Sequence, residues 1–206
     1  MSTYFAITMG KPAGDGWVRL PAEKPDRASI LASMLGKKEL TKWAATTARE
    51  LLGPQADAGP LATCTDTLTT LTAGCRERDV KLAYAWIPGS AGVAVARIDV
   101  SVIRTSRQHR VLELDMLEEQ FAKRDAATTK LEVSRVELPA GPAVRLDREW
   151  RDGDGPSETA VSVTYVCRPP EIKNAIVYTM YWVRADDAPG RTEIADSLAA
   201  TLRIAT

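Results

Sequence analysis

The sequence predicts an α+β protein built on an antiparallel β-sheet flanked by helices. Three observations carry that prediction. Apolar residues recur at helical spacing through the first third of the 206-residue chain. The period shortens to two at Asp79, and from Val136 onward strand-like runs alternate with Gly/Pro turns. The last of these runs is followed by Ile194, Leu198 and Leu202 at four-residue spacing, one stripe of a closing helix.

In chain order, Phe5, Ile7 and Met9 alternate as a short strand. Gly14-Asp15-Gly16 marks a turn, and Trp17-Val18-Arg19-Leu20 reads as a second extended piece ending at Pro21. Three helices are expected next. The first starts at Asp26 as N-cap and carries Ile30, Leu31, Met34 and Leu35. The second carries Leu40, Trp43, Ala44, Thr47 and Leu51 and is stopped by Gly53-Pro54. The third, with Thr65 or Asp66 near its start, carries Leu68, Leu71 and Cys75. Val80, Leu82, Tyr84 and Trp86 then share one parity and Ala94 to Val102 the next, a hairpin about Pro88-Gly89-Ser90. Leu114, Leu117 and Phe121 predict an amphipathic helix over 111–129, with Glu118, Glu119, Lys123 and Arg124 on its outer side.

Val136 and Leu138 lead through Pro139-Ala140-Gly141-Pro142 to Val144 and Leu146: strand, turn, strand. A second turn is expected at Asp152-Gly153-Asp154-Gly155-Pro156, before a strand with Val161, Val163, Tyr165 and Cys167 on one face. Ile176 to Val183 is apolar at both parities, so it is expected at the centre of the sheet, covered on two sides. Asp187 and Pro189 open the last helix. The expected division is a helical and hairpin half, 1–106, and a sheet with its closing helix, 107–206, with one continuous domain as the alternative.

Composition narrows the function classes. Lysine plus arginine and aspartate plus glutamate each number 27, which removes the electrostatic reason to expect nucleic acid or an anionic membrane as partner. No apolar run reaches the roughly 18 residues of a membrane span, and the start of the chain lacks the features of a secretion signal. Cytoplasmic residence is therefore the expectation. Cys64, Cys75 and Cys167 are read as free buried thiols. The first two would lie about 16 Å apart along one helix, beyond disulfide reach. No metal-ligand spacing occurs, and no cofactor is expected.

The candidate sites are few. His109, the sole histidine, lies among Arg104, Arg107 and Arg110 as a general base beside an anion-binding cluster would, but with no identifiable partner the segment reads as a solvated loop. Asp152 to Glu158 lacks the ligand pattern and flanking helices of a calcium loop and is better explained as a hairpin turn. Gly10, Gly14 and Gly16 lack the lysine and hydroxyl residue of a phosphate loop. Glu118 and Glu119 point about 100° apart on a helix and do not pair. Of the five tryptophans, Trp43, Trp86 and Trp182 lie on apolar stripes, while Trp17 and Trp150 lie beside turns and charges. Trp17, Trp150, Arg104, Arg107 and Arg110 are thus the residues expected to meet a partner.

The stretch Leu138-Pro139-Ala140-Gly141-Pro142-Ala143-Val144-Arg145, the strands to Val183 and the segment Ile194 to Ile204 resemble a family of uncharacterised actinobacterial proteins. That family shares an LPAG-x-A-V-R hairpin, and its domain looks like the PsbP-type α/β/α sandwich. The resemblance covers about the last 95 residues, with helix 111–129 as its first element. It implies a mostly non-enzymatic fold, used by photosystem accessory subunits, a GTPase-binding factor, bacterial lipoproteins and adaptor chaperones for secreted effectors. The present sequence has no lipobox cysteine. The resulting expectation is a non-catalytic protein-interaction module with a protein partner, an adaptor or chaperone for a secretion system or another assembly. A small-molecule-binding protein or enzyme with a pocket between helices and sheet, and an immunity-type factor, are the alternatives.

Overall fold

The computed structural model describes residues 5–22, 30–89, 92–106, 111–151, 159–183 and 188–205. Its elements run β1 (Ala6–Thr8), β2 (Trp17–Leu20), α1 (Ile30–Leu52), α2 (Ala58–Glu77), β3 (Leu82–Trp86), β4 (Ala96–Ile103), α3 (Leu114–Phe121), β5 (Thr128–Leu138), β6 (Gly141–Arg151), β7 (Thr159–Cys167), β8 (Ala175–Val183), α4 (Ala188–Ala199) and β9 (Arg203–Ala205). The chain divides into two compact units, residues 14–97 and residues 1–13 together with 98–206.

In the unit 14–97, β2 and β3 pair antiparallel, with Trp17 opposite Trp86 and Leu20 opposite Ala83. Their apolar residues share a core with Ala44 and Ala48 of α1 and with Cys64, Leu68 and Cys75 of α2. The expected break between two helices near residue 36 is absent: α1 runs unbroken from residue 30 to residue 52. A single glycine there weakens a helix by only about 1 kcal/mol, and no proline follows to stop it. Gly53, in the left-handed region at φ 85°, ends α1 where the sequence indicates, its N–H donating to the Arg49 carbonyl at 3.0 Å. The end of α2 is closed without glycine. Asp79 holds φ 57°, and the N–H groups of Val80 and Asp79 donate to the carbonyls of Cys75 and Arg76, a Schellman closure.

In the other unit the strand order is β4-β8-β7-β6-β5. Strands β5 to β8 form an antiparallel meander, regular except for a register shift between Thr128 and Lys130 of β5. On one face, Val144, Leu146, Val166 and Val177 pack with Leu112 and Leu117 on and before α3. On the other, Tyr165, Ile176, Tyr178, Met180 and Trp182 are buried, as are Ala195, Leu198 and Ala199 of α4. β8 lies between β4 and β7, as its two apolar faces require, but Val183 at its end is 46% exposed.

Three expectations change here. The amphipathic helix spans 114–121 rather than 111–129: it closes at Ala122, and Asp125 then sets a turn into β5. Its Oδ1 accepts from the backbone N–H groups of Ala127 and Thr128 and from the Thr128 hydroxyl. The hairpin strands are longer than Val136–Leu138 and Val144–Leu146 suggest, eleven residues each. The chain also ends in a strand: β9 pairs antiparallel with β1, Ile204 opposite Ile7. The N-cap expected at Asp26, the turn expected at 152–156 and the cap expected at Asp187 lie outside the described residues.

Candidate functional site

β5 is the terminal strand in the order, with β6 on one side and no described strand on the other. The phase of its hydrogen bonds follows from two contacts. Arg151 N–H donates to the Ala127 carbonyl, so odd-numbered residues of β6 turn their backbone groups toward β5. The Pro142 carbonyl accepts from Arg168 N–H, so even-numbered residues turn the other way. With Leu138 opposite Gly141 and Ser134 opposite Arg145, the even residues of β5 bond to β6. The N–H and C=O groups of Leu131, Val133, Arg135 and Glu137 therefore point outward along an open edge. The same phase explains Pro142 inside a sheet strand: its missing N–H falls on the far side, next to the end of β7.

The side chains along this edge alternate between two faces. Leu131 packs partly against the α3 cluster. On that same face Arg135 reaches α3, with Nη2 2.5 Å from Asp115 Oδ1 and Nε 2.7 Å from Glu118 Oε2. On the opposite face Lys130 pairs with Glu132 at 3.0 Å. Val133 is 38% exposed, a large apolar residue in the middle of an otherwise charged strand. Arg124 Nη2 donates to the outward Leu131 carbonyl at 3.1 Å, so one acceptor of the edge is occupied by a side chain.

A second polar group lies on the α4 face, one strand in. The Tyr165 hydroxyl donates to Asp196 Oδ1 of α4 at 2.6 Å and accepts from Arg145 Nε at 3.1 Å. Arg145 also pairs with Asp147 and, at 3.3 Å, with Asp196. Burial drives the Tyr165 phenol far above its ordinary range, with the hydrogen bond to Asp196 acting in the same direction, so it stays a donor. Burial also raises Asp147, against the opposing charge of Arg145. The Tyr165 ring lies against that of Tyr178, centroids 5.9 Å apart. A guanidinium flanked by two carboxylates and a protonated phenol is a closed set of donors and acceptors. It fastens α4 to β6 and β7 and contains no activated nucleophile.

Three of the five residues expected to meet a partner are among those described. Trp17 is 8% exposed, its ring stacked 6.2 Å from that of Trp86, and so belongs to a packed surface. Trp150 is half-buried near the end of β6, in register with Thr128 at the start of β5. Arg104 is exposed just after β4. Arg107, Arg110 and His109 lie outside the described residues, as does Asp152 to Glu158. Glu118 binds Arg135. The three cysteines are buried and form no disulfide, and burial pushes the Cys167 thiol up to about 12. Among the described residues no group of three His, Cys, Asp or Glu side chains gathers as a metal site. No helix among them is long and apolar enough to cross a membrane. An open depression of about 310 Å³ in the unit 14–97 is lined by Arg19, Leu20, Pro21, Ala22, Trp43 and Lys81.

The edge strand is faint in the sequence because only Leu131 and Val133 mark its apolar parity, between Thr129 and Arg135. The composition did hold a clue: Lys-Leu-Glu-Val-Ser-Arg-Val-Glu is β-branched and charged at once, the pattern of a guarded edge. No protein family and no curated protein matches this sequence. Among solved structures the chain is similar to the Saccharomyces cerevisiae Ran-binding protein Mog1p, with a TM-score of 0.37 and 12% identity, over 61% of this chain and 79% of that one. The α+β class rests on the elements described above.

Proposed function

We propose that this chain is a non-catalytic protein-interaction module and that it takes up a partner strand along the open edge of β5. The observation that carries this reading is the run of outward backbone groups at Leu131, Val133, Arg135 and Glu137 on a strand with no described outer neighbour. An added strand gains its affinity from such groups and its specificity from the side chains on either face. Trp150, on the neighbouring strand next to Thr128, flanks the start of the same edge. The adaptor or chaperone role suggested by the sequence is the form of this function in which the partner is a client delivered to an assembly.

Val133→Pro tests the reading. Val133 lies opposite Leu146 at a position where β5 and β6 exchange no hydrogen bond, so proline removes an outward N–H and spares the internal ladder. The variant is expected to keep the wild-type circular dichroism and lose the stoichiometric partner that the wild-type chain retains from native lysate at physiological salt. Equal capture by the two proteins would remove β5 as the docking element.

A further inference from the structure

The open edge of β5 is complementary to itself. Arg124, held at Leu131, and Glu137 carry opposite charges at the two ends of the edge, and Val133 sits exposed between them. We infer that the occupant of this edge is a second copy of the chain, its β5 antiparallel across a two-fold axis beside Ser134. The inference rests on the interaction reading above and names its partner.

Geometry limits the choices. A two-fold axis normal to the sheet keeps each face on its own side, so a residue meets one of the same parity in the second copy. The outward groups at odd positions then bond to one another, and the axis passes beside a single residue. Four such centres lie in the middle of the strand. Centring on Glu132 sets two carboxylates opposite each other, and centring on Arg135 does the same with two guanidinium groups. Centring on Val133 places Arg135 opposite Leu131 of the other copy, whose carbonyl is already held by the cationic Arg124.

Centring on Ser134 sets no like charges directly opposite, and brings Glu137 rather than Arg135 to the carbonyl that Arg124 holds. Val133 then faces the methylenes of the other copy's Arg135, whose head group is held by its own Asp115 and Glu118. Lys130 and Glu132 face Leu138 and Val136. Glu137 faces Leu131, so its N–H takes over the carbonyl that Arg124 holds at 3.1 Å, and its carboxylate receives the released guanidinium. Two symmetric Arg124–Glu137 pairs form, one at each end of the interface. The whole regular part of the strand, Lys130 to Leu138, is paired. The association is isologous and closes as a dimer rather than a fibre.

Light scattering on the eluting protein, combined with cysteine cross-linking, tests this. The wild-type chain is expected to reach twice its 22.4 kDa mass as concentration rises, and Val133→Pro to stay at the single-chain mass. Ser134→Cys places two thiols at a non-hydrogen-bonded cross-strand pair, about 4.5 Å between Cα atoms, within disulfide reach. It is expected to cross-link under mild oxidation while Glu132→Cys does not, the three native thiols being buried. Glu137→Arg should weaken the dimer, and adding Arg124→Glu should restore it. A single-chain mass at every concentration, with no Ser134→Cys cross-link, overturns the second copy as occupant. Loss of partner capture in Val133→Pro would still uphold the edge as a docking element in that case. A dimer that survives Val133→Pro, or cross-links through position 132 in place of 134, overturns the site or its register.

Discussion

Tyr165 shows how one hydroxyl can connect three elements. It sits on β7, donates to Asp196 on α4, and accepts from Arg145 on β6. Its ring also lies beside the Arg145 guanidinium, 5.9 Å from centroid to Cζ. Removing the hydroxyl leaves Arg145 still paired with Asp147, and leaves the half-exposed Asp196 free to turn to water. The loss should therefore be that of a net hydrogen bond rather than of an orphaned buried charge. Tyr165→Phe is expected to lower stability by about 1–1.5 kcal/mol, read as a lower urea midpoint with unchanged slope. An unchanged midpoint would show that the triad contributes nothing to holding α4. The arrangement was not legible in the sequence, where Arg145, Tyr165 and Asp196 are separated by twenty and thirty-one residues.

Among the elements, the β5–β6 hairpin depends on the glycine of its Leu-Pro-Ala-Gly turn. Gly141 has φ 120°, and a Cβ there would lie 2.9 Å from the Arg168 carbonyl oxygen and 3.0 Å from Pro170 Cδ. Backbone strain and a collision with main chain coincide at one position. Gly141→Ala should cost about 2–4 kcal/mol, measured by chemical denaturation, and a loss under about 0.5 kcal/mol would refute the account. This turn was legible from its proline and glycine alone. The length of the strands leaving it was not, because away from the turn charged residues interrupt the apolar parity of both, Arg135 in β5 and Arg148 in β6. Helix α1 failed to be read for a related reason. Its two apolar stretches were visible, but whether a helix continues through a lone glycine depends on the core it packs against.

The scale of the whole molecule brings in contacts that no local pattern reports. The ends of the described chain meet: β1 pairs with β9, and Gly10 N–H donates to Thr201 Oγ1 at 2.9 Å across 191 residues. The same hydroxyl donates to the Leu198 carbonyl at 2.7 Å, so it joins the exit of α4 to the segment after β1. Thr201→Ala should destabilise by about 1 kcal/mol and speed hydrogen exchange at the Gly10 amide. Unaltered exchange at that amide would mean the two ends are held by the β1–β9 ladder alone.

The sequence by itself determined the local part of this protein. It set the change from helical to strand period at Asp79, the stops at Gly53 and Gly141, the two-sided strand β8, and the apolar stripe of α4. Each follows from a preference expressed within a few residues. Tertiary structure alone decided that β5 lies at an edge, that Trp17 is stacked away against Trp86, and that Arg145, Tyr165 and Asp196 converge. A strand's neighbours come from distant parts of the chain. Its place in the sheet is therefore fixed by hydrogen bonds and packing that its own residues do not specify.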